Sequence, residues 1–331
     1  MEVMQVLTTI AKRKFKTSSF HTLGSHLYSS VTTSLNQSST LKQLKIWAEN
    51  FKSAHIPEPE ESIKHIISAA TGVPHYKIGV SDEPLTDEQI TQVNMMSECR
   101  LARMPVQYII KNWDFLDLTL FVSPPVFIPR PETEGLVLLA EKYLGSLAEG
   151  KFIEIGSGSG PITCSLLKRN SNLNGIAVDR SLMACNLTAK NARFHQLEER
   201  LKIINAKLTA DGLCSSDGNV IQVEELFDLV ISNPPYIPQS DLKNLEPEVK
   251  LYEDLRALDG GKDGLAIISD LLLFAPQWLK PGGRLFLEVD HRHPPILRKT
   301  FETSNGDYKL ELIEIHKDIF GKERFLEFQK K

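Results

Sequence analysis

The stretch KFIEIGSGSGPITCSLLKRN, Lys151–Asn170, decides the fold. It starts as a short apolar strand, continues through glycines at alternate positions (Gly156, Gly158 and Gly160), and ends in a helical pattern. A glycine turn lets the backbone pass close to a ligand, and the start of a helix offers N–H groups to an anion such as a carboxylate or a phosphate. The turn alone does not identify that ligand.

Strand-like and helix-like segments alternate after this stretch. Strands are predicted at GIAVDR, LKIINA, FDLVIS and RLFLEV, with helices such as SLMACNLTAKNARFHQ and DGLAIISDLLLFAPQWLK between them. Such alternation predicts a parallel sheet covered by helices on both faces. Two further runs, KLELIEIHKD and ERFLEFQ, follow with no helix between them, which predicts a closing hairpin and one antiparallel edge strand in a sheet of seven.

An acidic residue ends the second strand. Asp179 follows the glycine turn by about 20 residues, a position from which a carboxylate can accept hydrogen bonds from both hydroxyls of a ribose. The turn and this carboxylate together predict a cofactor that contains adenosine. A dinucleotide fold has G-x-G-x-x-G, whereas the third glycine here comes one residue early, so NAD is the second choice.

The segment SNPPYIP, Ser232–Pro238, ends the strand that is expected beside the first one. Pro234 and Pro235 lack N–H groups and leave carbonyl oxygens that only accept, and the Asn233 side-chain oxygen also accepts. Two convergent acceptors suit an NH2 group, and Tyr236 offers a flat wall for an amide or a base. The alternative is that the segment is only a turn at the end of a strand.

Composition limits the possible functions. The 331 residues suffice for one large core plus a smaller domain, and a net charge of −4 argues against a protein that mainly grips long nucleic acids. No apolar run is long enough for a membrane span. The four cysteines form no CxxC pair, and His291 and His293 lack a third ligand nearby, so we expect no metal and no disulfide framework.

Residues 1–40 differ in composition from the rest. No acidic residue occurs between Glu2 and Glu49, residues 12–16 are mostly basic, and serine and threonine are abundant. This composition is typical of a mitochondrial transit peptide and predicts import into the matrix. The alternative is a disordered tail without a targeting function.

Residues 41–104 have helical periodicity and predict a small helical N-terminal domain. In LKQLKIWAENFKSAHI the large apolar residues are three or four positions apart, namely Leu41, Leu44, Trp47 and Phe51. A second helix is predicted in EESIKHIISAATGV, and a third in TDEQITQVNMMSECRLARM. Thr86 and the Glu88–Gln89 pair offer capping groups at the start of the third helix.

Residues 105–134 predict a β-hairpin around NWDF and a connector rich in proline, SPPVFIPRP. Residues 135–331 are then expected to form the α/β domain that holds the candidate site. Arg130, between two prolines, has three open interpretations: it reaches into the site, it is a solvated linker residue, or it pairs with Glu132 or Glu134.

Several separated motifs resemble one enzyme family. EIGSGSG, VDR and SNPPYIP resemble class I S-adenosylmethionine-dependent methyltransferases that act on amide or exocyclic nitrogen. Together with IPRPETEGLV, LEPEVKLYEDLRALDGGKDGL and PGGRLFLEV they are similar to the HemK/PrmC family of release factor glutamine methyltransferases, and the leader points to its mitochondrial type. The resemblance runs from about residue 100 to the end of the chain and implies a Rossmann-like α/β fold.

The resemblance also implies roles for individual residues. The implied cofactor-binding residues are Glu154, Gly156, Ser157, Gly158, Ser159, Gly160, Asp179, Leu208 and Asn233. The implied catalytic residues, which bind the substrate glutamine, are Asn233, Pro234, Pro235 and Tyr236. The chain departs from the family pattern at Lys207 and Leu208, where many members have an acidic and an aromatic residue, and at Asp254, where proline is expected.

The implied activity is transfer of a methyl group from S-adenosylmethionine to the glutamine of the GGQ motif in a peptide chain release factor. The helical N-terminal domain would then be a platform for that protein, with no stable nucleic acid or membrane partner. Two other functions stay open: an N-methyltransferase of DNA or RNA bases, and a cofactor-binding module without catalysis.

Overall fold

A computed structural model describes residues 38–145, 147–303 and 308–331. These residues form two compact units that divide after Met95. The predicted transit peptide, residues 1–40, lies almost entirely outside the described residues and stays a prediction, as do the other domain boundaries. None of the helices in the described ranges combines the length and the apolar character that a membrane crossing requires.

The N-terminal unit is helical, as predicted. It contains α1 (Thr40–Ser53), α2 (Pro59–Thr71) and the start of α3 (Asp87–Leu101). Trp47 and Phe51 are buried as expected, whereas Leu41 is 38% exposed and lies outside the core. Thr86 and Gln89 form a capping box, because each side chain accepts a hydrogen bond from the backbone N–H of the other.

The second unit contains the remaining elements. Its strands are β1 (Asn112–Phe115), β2 (Leu118–Phe121), β3 (Gly150–Ile155), β4 (Leu173–Asp179), β5 (Leu201–Asn205), β6 (Lys207–Thr209), β7 (Gly212–Cys214), β8 (Phe227–Ser232), β9 (Leu279–Glu288), β10 (Leu310–Lys317) and β11 (Glu323–Lys330). Its further helices are α4 (Val106–Ile110), α5 (Glu132–Leu144), α6 (Pro161–Arg169), α7 (Leu182–Phe194), α8 (Pro247–Tyr252), α9 (Ala266–Trp278) and α10 (His293–Thr303).

Seven of these strands form one sheet in the order β10-β11-β9-β8-β3-β4-β5. The predicted sheet of seven strands is confirmed, and one strand, β11, runs antiparallel to its neighbours on both sides. This strand lies one position in from the edge rather than at it, because the closing hairpin places β10 outside β11.

Helices cover both faces of the sheet. On one face Ile153 and Ile155 of β3 pack into a core with apolar residues of α9 and α10. On the other face Phe152 packs with apolar residues of α5, α6, α7 and the β1–β2 hairpin. The strand residues of β3 therefore alternate between two cores, as in a parallel sheet buried on both faces.

The structure adds elements that the sequence patterns did not predict. Residues 106–110, VQYII, were expected to belong to the β-hairpin region, but they form helix α4, which starts after Pro105. Helix α5 begins at Glu132, inside the predicted connector. The short β6–β7 hairpin was also missed. Strands β1 and β2 do form the predicted hairpin around NWDF.

The order of the strands creates a crevice. β3 has β4 on one side and β8 on the other, and it is parallel to both. The chain runs from β3 through β4 to β5 and then returns to pair on the opposite side of β3. Ligands of open α/β sheets bind at such a switch point, beyond the carboxyl ends of the strands.

Candidate functional site

A cavity of about 150 Å³ opens at this switch point. Eight of the residues that the sequence pointed to line it: Gly156, Gly158, Asp179, Leu208, Asn233, Pro234, Pro235 and Tyr236. These residues come from the ends of β3, β4 and β8 and from β6. The fold thus brings the glycine turn, the acidic residue and the NPPY segment to one place.

The glycine turn forms an open cradle at the floor of the cavity. Gly158 has φ +58°, a left-handed conformation that favours glycine, and its N–H donates to Asp179 Oδ2 at 2.9 Å. A Cβ at Gly158 would meet no other atom within 4 Å, so the backbone faces open space there. A ligand can therefore approach this peptide closely.

Asp179, at the end of β4, lines the cavity next to the glycine turn. Its Oδ1 accepts from the Ser181 N–H at 2.8 Å, and its Oδ2 accepts from Gly158. Burial raises the pKa of Asp179, while the two backbone hydrogen bonds act in the opposite direction. Each carboxylate oxygen keeps acceptor capacity, which fits the two hydroxyls of a ribose.

The start of α6 differs from expectation. We expected its N–H groups to be available to an anion from a ligand, but the Thr163 N–H donates to the chain's own Glu154 carboxylate at 3.0 Å, and the Thr163 hydroxyl contacts the same oxygen. Glu154 is fully buried, and burial raises its pKa to about 8 in spite of these hydrogen bonds. This carboxyl group anchors α6 beneath the glycine turn.

Four of the implied cofactor-binding residues do not line the cavity: Glu154, Ser157, Ser159 and Gly160. The Ser157 hydroxyl lies 3.3 Å from the Thr188 hydroxyl, and both serines are 1% exposed. A Cβ at Gly160 would come within 3.0 Å of Thr188. These residues support the turn from below, and their contact with a cofactor stays a prediction.

The wall beside Asp179 is mainly apolar. Leu208 is buried and lines the cavity together with Ala206, Val178 and Ile267. Lys207 lines it as well, so the two positions that depart from the family pattern both lie at the cavity.

Asn233 is held in one orientation by neighbours whose roles no sequence motif indicated. Its Nδ2 donates to Thr133 Oγ1 at 2.9 Å, and Thr133 donates to Glu288 Oε2 at 2.8 Å. Among the described residues no group donates to Asn233 Oδ1. The Tyr236 hydroxyl donates to the other oxygen of the same carboxyl group, Glu288 Oε1, at 3.3 Å. The motif containing Thr133, IPRPETEGLV, was the only available signal.

The NPPY segment is fixed to the loop LDGGKDG. The Ile237 N–H donates to Leu258 O, and the Gly260 N–H donates to Ile237 O, both at 2.9 Å. Gly264 has φ +82°, and a Cβ there would lie 2.3 Å from the Tyr236 backbone oxygen. Only glycine allows the two loops to approach each other this closely.

Substitution of Gly264 tests this contact. Gly264→Ala is expected to lower the free energy of unfolding at least twice as much as Gly321→Ala. Both positions have a positive φ, +82° and +75°, which costs an L-residue roughly 1 to 2 kcal/mol, but a Cβ at Gly321 would meet no atom within 4 Å. Urea unfolding of the full chain measures both values, and equal losses would show that the backbone contact at Tyr236 is unimportant.

Arg130 takes none of its three predicted positions. It pairs with Glu253, Nη2 to Oε1 at 2.6 Å, and its guanidinium lies over the Phe127 ring at 4.7 Å. The backbone N–H of the neighbouring Asp254 donates to Pro125 O at 2.8 Å, a hydrogen bond that proline could not make. The departure from the family pattern at Asp254 therefore adds a link between the connector and the cavity wall.

The two histidines of DHRHPP have separate surroundings. His293 is buried, and its Nε2 lies 3.2 Å from Asp263 O. His291 Nδ1 lies 3.2 Å from the Asp290 carboxylate. Each histidine is thus engaged in local packing or pairing, and the expectation that they form no metal site stays a prediction.

The chain matches known proteins along most of its length. Residues 117–246 match the family described as Methyltransferase small domain, and residues 43–110 match the PrmC N-terminal domain. Among solved structures, a methyltransferase from Pyrococcus furiosus aligns with 70% of this chain and 98% of its own, at 19% identity and a TM-score of 0.45.

Two curated relatives are more similar in sequence. The MTRF1L release factor glutamine methyltransferase of Homo sapiens is 38% identical over 88% of each chain. The release factor glutamine methyltransferase of Caulobacter vibrioides is 33% identical over 81% of this chain and 90% of its own. Such identities over most of each relative's length show that the chain belongs to the family of release factor glutamine methyltransferases.

Proposed function

We propose that this chain transfers a methyl group from S-adenosylmethionine to the side-chain nitrogen of the GGQ glutamine in a mitochondrial peptide chain release factor. S-adenosylmethionine is the methyl donor of the family to which the chain belongs. The observation that carries the proposal is the orientation of Asn233, whose side-chain oxygen is left to accept hydrogen bonds at the wall of the cavity.

The residues of the cavity fit the parts of this cofactor. The Asp179 carboxylate would hold the ribose hydroxyls, and the backbone of Gly156 and Gly158 would pass close to the methionine part. The apolar wall that includes Leu208 would bind the adenine. The acidic and aromatic residues that many family members have at positions 207 and 208 would then not be required. Burial favours the neutral form of Asp179, whereas the two backbone hydrogen bonds to its oxygens favour the charged form, which accepts at both oxygens.

Asn233 and Pro234 suit an amide NH2 group as substrate. The Asn233 Oδ1 and the Pro234 carbonyl oxygen can take its two hydrogens, since no described backbone N–H donates to Pro234 O. Tyr236, which also lines the cavity, would stack on the planar amide. A carboxylate has no hydrogen to donate to these two acceptors.

Catalysis then depends on positioning. The bound cofactor supplies a methyl group on a positively charged sulfur, which leaves as a neutral thioether. The lone pair of an amide nitrogen is delocalised into its carbonyl, so the chain must hold this nitrogen in line with the methyl group. The same two oxygens stabilise the positive charge that develops on nitrogen, and one of its protons then passes to solvent.

The helical N-terminal unit is proposed to bind the release factor. Residues 43–110 match a domain named for this family, and the predicted range of the helical domain, 41–104, falls almost entirely within the match. A catalytic cavity that accepts one side chain supplies little contact area. A second surface is therefore required to choose one protein among many.

Methyl transfer from labelled S-adenosylmethionine tests the proposed function. The full chain is incubated with a mitochondrial release factor, with the same factor carrying alanine in place of the GGQ glutamine, and with a mixed oligonucleotide pool. Label only on the intact factor supports the proposal. Label on the oligonucleotides would mean that the NPPY segment reads a base instead, and no binding of the cofactor would indicate a module without catalysis.

The composition of residues 1–40 supports a mitochondrial matrix location, which we include in the proposal. Import of the full chain, with a tag at its C-terminus, into isolated mitochondria tests it. Cleavage of the chain and its protection from added protease after the outer membrane is opened are the expected results. A chain that stays uncleaved and accessible would contradict this location.

A further inference from the structure

A buried chain of hydrogen bonds runs away from the substrate side of the cavity. Asn233 Nδ2 donates to Thr133 Oγ1, Thr133 donates to Glu288 Oε2, and the Tyr236 hydroxyl donates to the other oxygen of Glu288. Thr133 is 3% exposed and Glu288 is 1% exposed. Glu288 ends β9 and Thr133 lies in the first turn of α5, so both atoms are held by regular elements.

The number of hydrogens on each group determines which group donates in the two hydrogen bonds of Thr133. A carboxylate only accepts, so the single hydroxyl hydrogen of Thr133 is committed to Glu288. The Thr133 oxygen can then only accept from Asn233. Asn233 must therefore turn its NH2 group towards Thr133 and its oxygen away, although the two ends of an amide have nearly the same shape.

We propose that Thr133 and Glu288 are positioning residues that make the site select a neutral amide and reject a carboxylate of the same shape. This inference rests on the proposed function. Asn233 held in this way offers an acceptor, which suits the NH2 group of glutamine and repels the oxygen of glutamate. An asparagine whose amide is free to rotate could instead turn its NH2 group to the substrate. The site would then bind glutamine and glutamate alike.

The charge of Glu288 is part of this arrangement. Burial raises the pKa of Glu288 to about 7, although the Thr133 hydrogen bond and the charge of Arg324 from β11 act in the opposite direction. Tyr236 and Glu132, at the start of α5, are the other titratable groups that act on it. Above pH 7 the carboxylate accepts and Asn233 is held.

Below that pH, a protonated Glu288 can donate to Thr133. The hydroxyl hydrogen of Thr133 then becomes available to Asn233, and the amide loses its fixed orientation. Ordered substrate binding is thus present above pH 7 and is lost as the pH falls through the pKa of Glu288.

The test compares Thr133→Val with Thr133→Ser in the full chain. Turnover is measured on the release factor, and inhibition is measured with the same factor carrying glutamate in place of the GGQ glutamine. Thr133→Val is expected to slow turnover about 10- to 100-fold, the effect of losing one hydrogen bond to a charged group, and to bind the glutamate factor relatively more tightly. Thr133→Ser keeps the hydroxyl and should restore both values.

Thr119→Val is the matched control. The Thr119 hydroxyl also donates to a carboxylate, Asp114 Oδ1 at 2.7 Å, but it lies on the exposed β1–β2 hairpin. We expect this variant to keep wild-type turnover and wild-type preference for glutamine. Cofactor affinity should stay unchanged in all three variants.

The dependence of turnover on pH is a second test of the inference. It can be measured even if Thr133→Val fails to fold. The acid limb of turnover near pH 7 should disappear in Glu288→Gln, because glutamine does not titrate. A Glu288→Gln enzyme with the same acid limb, or a folded Thr133→Val enzyme with full preference for glutamine, would overturn the inference. Absence of methyl transfer by the wild type would instead contradict the proposed function.

Discussion

The Asn233→Ala chain is expected to transfer methyl groups on the order of 100- to 1000-fold more slowly than the wild type. The reason is that alanine removes the one side-chain acceptor that Thr133 and Glu288 hold towards the cavity. A positioned acceptor of this kind stabilises the charge on nitrogen only as it develops, so the loss falls mainly on kcat. Turnover at saturating release factor and cofactor measures it.

The affinity for S-adenosylmethionine shows whether the slower turnover of Asn233→Ala comes from the lost acceptor or from a disrupted cavity. Asn233→Ala should bind the cofactor almost as tightly as the wild type, because the ribose is assigned to Asp179 and the adenine to the wall at Leu208. Asn172→Ala, which removes an exposed asparagine that donates to Ala148 O, is the control for loss of an asparagine side chain. Turnover of Asn233→Ala close to that of the control would refute the proposed role.

The parts of the site that could be predicted from the sequence are those that local patterns determine. A strand followed by the glycine turn, a strand ending in Asp179, and a strand followed directly by Asn233 are each visible within a few residues. Parallel strands bring their carboxyl ends to one edge, so the convergence of these three segments follows from the alternation of strands and helices. The structure confirms this convergence.

The support behind Asn233 could not be predicted in the same way. Thr133 lies 100 residues before Asn233, and Glu288 lies 155 residues after Thr133. The packing of α5 against the sheet brings these residues together, and a local sequence pattern contains no information about that packing. The same holds for the pair of Arg130 and Glu253, which are 123 residues apart, where only neighbouring acids had been considered.

The glycine turn before α6 differs in one respect from what its sequence motif predicts. A glycine turn before a helix predicts that the first N–H groups of the helix face an anion from a ligand, but one of them, the Thr163 N–H, donates to the Glu154 carboxyl group of the preceding strand. Which carboxylate takes that place depends on the side-chain directions of β3. Binding of a ligand anion at this helix start stays a prediction.

Asp179→Ala is expected to weaken S-adenosylmethionine binding on the order of 100- to 10,000-fold, the effect of losing the bonds to both ribose hydroxyls. Each hydrogen bond to a charged group contributes about 1.5 to 3 kcal/mol, and the loss of Asp179 removes those proposed to the ribose. It also removes the acceptor of the Gly158 and Ser181 N–H groups, so the cradle itself loses an anchor. Calorimetric titration of the full chain measures the affinity, with Asp114→Ala, an exposed carboxylate on the β1–β2 hairpin, as the control.

A cofactor analogue without the ribose hydroxyls distinguishes the two causes. The wild type should bind the analogue more weakly than S-adenosylmethionine, whereas Asp179→Ala should bind both with similar affinity, because the group that recognises the hydroxyls is gone. If removal of the hydroxyls weakens binding equally in both proteins, Asp179 does not contact the ribose. The loss of affinity would then come from the glycine turn alone, since the Gly158 N–H would have lost its acceptor.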